Sequence, residues 1–375
     1  MPTASGERRS ILLSLAVVAA GVAAALYHFP RQPAYAAEAR QRERLAQAPR
    51  VEVIVDGEHM VHGMAVDARG TLYITTIGED DVYALSKPGQ RVRFTDQDEQ
   101  ESNPSRHRSL ESPSTLTADA MGNLYALDAS GPRFGCFASA RVKRIAADGK
   151  VSALAHADTA MAPRNIGGGM MPIAVDKTGA LYMLTQDGPY KVSGAGKLFP
   201  QPVPEGEADY AFPPQEGVLA AHPDGGVVVA SPGHGVYRLL PDGRAARLET
   251  RGGDCSLDVP IAPVAQDDST CRTGPHSGCT ERTTAPKAPR CKIDALAVDA
   301  GGRIFLSDDG RILQVDTDGA ISTFFDPAKG PPIPLKNPVQ DYPLTLMALG
   351  PHGEVYWARF ATLYKITPWS RLRRR

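Results

Sequence analysis

The chain has 375 residues, 42% apolar and 22% charged, enough for one large or two ordinary domains with a substantial core. Its 41 basic residues are matched by 42 acidic ones, and a formal charge of -1 leaves no global field to draw in nucleic acid or anionic lipid. The 36 glycines and 32 prolines follow no collagen period and punctuate turns, which with 6% aromatics points to an all-β protein.

The first 36 residues stand apart. Arg8 and Arg9 precede an uncharged run from Ile11 to Tyr27, followed by Pro30, Pro33 and the small-x-small site Ala34-Tyr35-Ala36, the order of a secretory signal. Seventeen residues lie at the lower limit for crossing about 30 Å of hydrocarbon, so residues 1–36 read as a cleaved signal peptide or as a retained anchor through residues 11–27. Either way the basic flank stays in the cytoplasm and the rest is exported, to the periplasm, the cell surface or the medium. The Arg-Arg-Ser-Ile-Leu start is similar to a twin-arginine export signal. Residues 37–50, with Arg40, Arg42 and Arg44, read as a linker or a short helix between export signal and propeller.

From Val51 onward one sentence recurs. Aligned on an Asp-x-x-Gly turn, it reads GMAVDARGTLYITT from Gly63, TLTADAMGNLYALD from Thr115, PIAVDKTGALYMLT from Pro172 and VLAAHPDGGVVVAS from Val218. ALAVDAGGRIFLSD from Ala295 and LMALGPHGEVYWAR from Leu346 complete six copies. Each holds an inner apolar strand, a turn ending in Gly (70, 122, 179, 225, 302 or 353), a second strand and a third, with the period-two alternation of a sheet. A unit of about 40 to 50 residues with three or four strands cannot bury both faces alone, whereas radial stacking does so. The prediction is a six-bladed β-propeller over residues 51–369. Val51 to Val55 precedes the first copy without a partner, and too little chain follows the last copy for a fourth strand. The N-terminal strand should therefore close the ring as the outer strand of blade six.

Successive turn glycines are 52, 57, 46, 77 and 51 residues apart, so an insert at 251–292 separates blades four and five. It carries Cys255, Cys271, Cys279 and Cys291, spaced 16, 8 and 12 apart with no C-x-x-C pair. In an exported chain this reads as two disulfides of open pairing, and not as a zinc knuckle or haem attachment. Cys136 is left as a packed thiol. Residues 96–114 form a polar, solvated loop, and residues 370–375 a basic tail.

Ligands usually meet a propeller at the mouth of its central channel, ringed by the residues before each inner strand. Eight positions before each turn Gly stand His62, Ser114, Met171, Gly217, Asp294 and Thr345, with Glu216 adjacent. There is no G-x-S-x-G, H-E-x-x-H, phosphate loop or dinucleotide fingerprint. The glycines of Asn165-Ile166-Gly167-Gly168-Gly169 precede a strand, so they open no helix toward a phosphate.

The repeated hydrophobic-Ala-Val-Asp-x-x-Gly-x-hydrophobic-Tyr sentence resembles the NHL-repeat family over essentially all of residues 51–369. More distantly it is similar to the six-bladed senescence-marker-protein and gluconolactonase propellers, which bind a divalent metal at the channel mouth through Glu, Asn and Asp. Asp294-Ala295-Leu296-Ala297-Val298-Asp299 matches that family's Asp element, which puts Asp294 at a ligand position. The Asn element corresponds to Gly217-Val218-Leu219 and has lost its Asn, and His62 replaces the first-blade Glu. The resemblance implies two readings. One is a non-catalytic binding, sensor or scaffold propeller that takes a protein or small-molecule ligand on one face, with no nucleic acid and with membrane attachment only through an uncleaved N-terminal segment. The other is a lactonase-like hydrolase in which His62, Glu216 and Asp294 hold a divalent cation (Ca²⁺, Zn²⁺ or Mg²⁺) that activates water.

Overall fold

The computed structural model describes residues 49–56, 60–95, 110–130, 139–154, 171–185, 188–193, 197–204, 217–231, 235–253, 257, 291–328, 345–359 and 361–368. All fall in the unit Pro49–Arg375. The run 11–27 expected to act in export, Cys136, Cys255, Cys271, Cys279 and Glu216 lie outside the described residues. No helix among the described residues is long and apolar enough to cross a membrane.

Strand β1 (Arg50–Asp56) comes first and belongs to the last blade. Blade one is β2 (Val61–Val66), β3 (Leu72–Thr76), β4 (Tyr83–Lys87) and β5 (Gln90–Arg93). Blade two is β6 (Pro113–Ala118), β7 (Leu124–Ser130), β8 (Ser139–Ile145) and β9 (Val151–Ala153). Blade three is β10 (Ile173–Val175), β11 (Leu181–Thr185), β12 (Gly188–Val192) and β13 (Leu198–Pro200). Blade four is β14 (Val218–Ala221), β15 (Val227–Ser231), β16 (Gly235–Leu239) and β17 (Ala245–Arg247). Blade five is β18 (Ile293–Val298), β19 (Ile304–Asp308), β20 (Arg311–Val315) and β21 (Ile321–Phe325). Blade six is β22 (Thr345–Leu349), β23 (Val355–Arg359) and β24 (Thr362–Thr367), completed by β1.

Each sheet is an antiparallel meander in sequence order except the sixth, ordered β1-β24-β23-β22. There Val51 pairs with Ile366 and Val53 with Tyr364, so the N-terminal strand closes the ring as the repeats require. Six apolar clusters hold the ring together, and each lies between two neighbouring blades. Trp357, Tyr364 and Ile366 of blade six pack on Phe305, Ile312 and Phe325 of blade five. Tyr237, Leu239 and Val227 of blade four pack on Tyr182 and Leu184 of blade three. The second strand of a blade is walled on both faces, which is why β3, β11, β15 and β19 are buried along their whole length and read as near-continuous apolar runs. A blade taken alone would expose both faces, so the repeats stand or fall together.

The 251–292 insert is tied to blade five where it is described. Arg251 forms an isolated parallel bridge with Ala320, donating its N–H to the Gly319 carbonyl and accepting that of Ile321. Leu257 and Cys291 are both buried in the cluster between blades four and five, and Cys291 is disulfide-bonded. The excursion is thus held near both of its ends by apolar burial.

Candidate functional site

An antiparallel four-stranded blade puts its first and third connections at one end and its second connection, with the passage to the next blade, at the other. The two ends differ sharply. Every connection between a first and a second strand is 5 residues long, and those between third and fourth strands are 2 or 5. Passages from an outer strand to the next inner strand run to 19, 19, 17, 45 and 19 residues, the closing β1–β2 link alone being 4. One end of the blades therefore carries the tight turns, while the long passages leave and re-enter the blades at the other, beside second-to-third-strand connections of 2 to 8 residues.

At the turn face a cavity of about 930 Å³ is lined by Asp67, Asp119, Asp299, Asp316, Asp318 and Arg303, among others. Most of these carboxylates are committed to the backbone. Asp67 accepts the N–H groups of Arg69 at 3.0 Å and Thr71 at 2.8 Å, and the Tyr73 hydroxyl at 3.3 Å. Asp119 repeats this with Met121, Asn123 and Tyr125. Asp299 accepts from Gly301, Arg303 N–H and the Arg303 guanidinium. Asp176 goes further and accepts the Gly226 N–H of blade four at 2.9 Å. Burial pushes Asp176 up, but the Thr178 hydroxyl and the N–H groups of Gly226, Ala180 and Thr178 outweigh it and hold the carboxyl below its usual range. The Asp of the repeated sentence is a turn cap, chosen because a short acceptor can satisfy turn N–H groups two and four residues on.

Two blades depart from that rule. In blade four His222 stands in the Asp place, and its Nδ1 accepts the Asp224 N–H at 3.1 Å. In blade six the place is Gly350, where an added Cβ would come 2.6 Å from Glu354 Oε2. The carboxylate has moved four residues along the chain, and Glu354 accepts the His352 N–H at 3.1 Å. Gly350 leaves the room that the longer side chain needs.

At the loop face a smaller cavity, about 150 Å³, opens on the channel axis and receives residues from all six inner strands. Of the residues expected to ring it, Gly217, Asp294 and Thr345 line it; in blades one to three its wall is instead Gly63, Thr115 and Pro172, each one position further on. His62, Ser114 and Met171 have found partners inside the wall. The Met171 side chain is buried in the cluster between blades two and three. The Ser114 hydroxyl donates to the Leu127 carbonyl at 3.2 Å. His62 is the extra residue of a bulge between Val61 and Gly63, and its imidazole bonds the Pro113 carbonyl of blade two. Gly63 allows this approach, since a Cβ there would lie 2.2 Å from the Ser114 carbonyl oxygen. Burial outweighs the bond to Pro113 and lowers the ring's pKa from 6.5 to about 4, so His62 is a neutral wall residue at physiological pH.

Asp294 is the corresponding bulge residue of blade five, between Ile293 and Ala295, and it does face the cavity. Burial pushes its carboxyl up, helped by Asp309 and Asp308 and opposed by Lys292 and Arg359. Its side chain has no hydrogen-bond or ion-pair partner among the described residues. Bulges are a common device for re-aiming a side chain next to a site. Counting positions from the turn misses this, because one extra residue changes which side chain leans on the channel and which is turned into a blade interface.

Of the divalent-cation set suggested by resemblance, His62 and Asp294 are described and Glu216 lies outside the described residues. No group of three or more His, Cys, Asp or Glu among them is placed to share an ion, and a divalent cation needs several converging ligands. The His62 ring is engaged with Pro113, which leaves Asp294 as the described member of the set at the cavity.

No protein family and no curated protein matches the chain. Among similar solved structures is a protein of unknown function from Bacteroides thetaiotaomicron, with TM-score 0.53 and 13% identity, covering 85% of this chain and 76% of that one. A gluconolactonase from Xanthomonas campestris has TM-score 0.49 and 14% identity over 86% of this chain and 92% of its own. A streptogramin B lyase has TM-score 0.48 and 13% identity over 86% and 99%. At such identities likeness concerns the fold alone. Sheet topology defines the class: the chain is an all-β, six-bladed β-propeller.

Proposed function

We propose that the protein is an exported propeller of NHL type that acts as a binding module, holding a ligand or partner on its loop face over the small channel mouth and performing no catalysis. The observation that supports this is the length asymmetry: passages of 17 to 45 residues leave and re-enter the blades at one end, while the turns at the other end are 2 or 5 residues long. Loops of that length on a rigid scaffold are where binding residues concentrate. Export is supported by Arg8, Arg9 and the apolar run behind them, and by the disulfide-bonded state of Cys291, which suits an oxidising compartment.

Photo-crosslinking tests the reading. A photoreactive side chain placed at Ile77 or Glu111 on the loop face should give adducts in producing cells, and one at Met121 or Asp242 on the turn face should not. Adducts from the turn face alone, or from both faces equally, would overturn the assignment. Metal analysis tests the non-catalytic half: a stoichiometric divalent ion in the purified protein, lost in Asp294→Ala together with hydrolysis of a lactone, would replace this reading with a metal-dependent lactonase.

A further inference from the structure

The cavity at the loop-face mouth is lined by neighbours in the chain, such as Gly63 with Met64, Thr115 with Leu116 and Ala295 with Leu296. Consecutive strand residues send their side chains to opposite sides of a sheet, so a wall made of such pairs is largely backbone. The topology agrees: each inner strand is the end strand of its sheet, so one of its edges has no strand partner. Edge strands present unpaired N–H and C=O groups, and here six such edges converge around a volume of about 150 Å³.

Into this wall the bulge of β18 sets one ionisable side chain. Asp294 is the single charged residue among the described residues that line the cavity, and no hydrogen bond or ion pair among the described residues holds it. Lys292, Arg359, Asp308 and Asp309 act on it through space, and none of the four lines the cavity. At the equivalent place the first three blades have turned their residues into the wall: His62 bonds Pro113, the Ser114 hydroxyl donates to Leu127, and Met171 is buried between blades two and three. The other hydrogen-bonding side chains that line the cavity are Thr115 and Thr345. Thr115 donates to the Met171 carbonyl at 3.0 Å, which leaves its oxygen lone pairs for a donor. Thr345 makes no side-chain hydrogen bond among the described residues.

A half-buried carboxylate is costly unless a donor or a cation meets it. An ammonium supplies both, because it carries the opposite charge and three N–H donors: one for Asp294 and the others for threonine oxygens and strand-edge carbonyls. A neutral hydroxyl group has one donor and leaves the charge standing. A divalent cation needs several converging ligands, and the described residues bring one carboxylate to this cavity. An apolar cavity of about 150 Å³ takes up benzene, roughly six non-hydrogen atoms, so a volume of this size is filled by an ammonium on an unbranched stem of about four carbons.

We propose that the loop-face mouth binds a primary ammonium group on a short unbranched aliphatic stem, with Asp294 as its counter-ion and the Thr115 and Thr345 hydroxyls and strand-edge carbonyls as further acceptors. The proposal rests on the loop-face reading above and names the ligand chemistry at its centre. The ammonium belongs either to a free aliphatic amine or to the lysine side chain of a partner protein, two sources with one chemistry.

Met64 and Met347 line the same cavity, so the ¹³C-methyl-methionine resonances of the full chain, assigned with Met64→Leu and Met347→Leu, report on it. Butylammonium should shift these two signals saturably at neutral pH, whereas butanol, of the same shape without the charge, should need roughly tenfold higher concentration or more. Asp294→Asn, which keeps the shape and loses the charge, should weaken butylammonium binding by a similar factor, with urea midpoints checking the fold. Nα-acetyl-lysine amide separates the sources: tighter binding than butylammonium supports the site as a seat for a partner's lysine, and weaker but Asp294-dependent binding supports it as a seat for a free amine. No saturable shift with either amine, an equal response to butanol, native affinity in a folded Asp294→Asn, or displacement of butylammonium by a stoichiometric divalent cation would overturn the proposal. Loss of the amine response alongside loop-face crosslinks would remove this site and leave the binding-module reading standing.

Discussion

At the start of β2 the His62 ring is neutral because it is buried against the neighbouring blade, with its pKa lowered from 6.5 to about 4. The folded value lies below the unfolded one, so as pH falls the unfolded chain takes up its proton first. Stability associated with the neutral ring is intact above about pH 6.5 and is lost progressively down to about pH 4. Between about pH 7.5 and pH 4.5 the two values give a loss of about 2.5 kcal/mol from this one residue. His62→Gln keeps a side-chain N–H for the Pro113 carbonyl and carries no titrating group. Urea unfolding of the native protein and the variant at the two pH values isolates the effect, because losses from other groups are common to both. The native protein should lose about 2.5 kcal/mol more than His62→Gln over this interval. Parallel losses, within about 0.5 kcal/mol, would refute the burial of a neutral ring here.

Asp176→Ala removes the acceptor shared by the Thr178, Ala180 and Gly226 N–H groups and should cost roughly 2–4 kcal/mol by urea unfolding. Asp242→Ala in an exposed turn should cost under about 1 kcal/mol; similar costs would show that the inter-blade bond adds nothing. Gly350→Ala drives a methyl group toward Glu354 and should cost about 1–2 kcal/mol, and Gly350→Asp combined with Glu354→Thr should recover most of that, a return to the rule of the other blades checked by thermal melts. Deleting residues 1–56 removes β1 and leaves β24 an open edge, so near-ultraviolet circular dichroism and cooperative unfolding should be lost, whereas deletion of residues 1–48 should leave both in place.

The blades were legible because their signal is redundant: six turns with Gly at one place and six second strands whose first four residues are buried report the same geometry. Closure was legible too, since Val51 to Val55 had a strand pattern and no partner. The site was not read this way. His62 and Asp294 occupy equivalent bulges, yet one is turned to Pro113 and the other to the channel, and this depends on the packing of adjacent blades. Glu354 hid its role because the chain moved a carboxylate from one side of a turn to the other.

The β1–β24 pairing joins residue 50 to residue 367, nearly the full span of the ring. During synthesis β1 must wait, unpaired, until β24 has emerged. Because each apolar cluster is shared between two blades, every intermediate before that moment has an unfinished interface at both ends, and this long-range contact sets a slow final step. A cell that makes this protein therefore has to shield one open sheet edge for the whole time that the other end is missing.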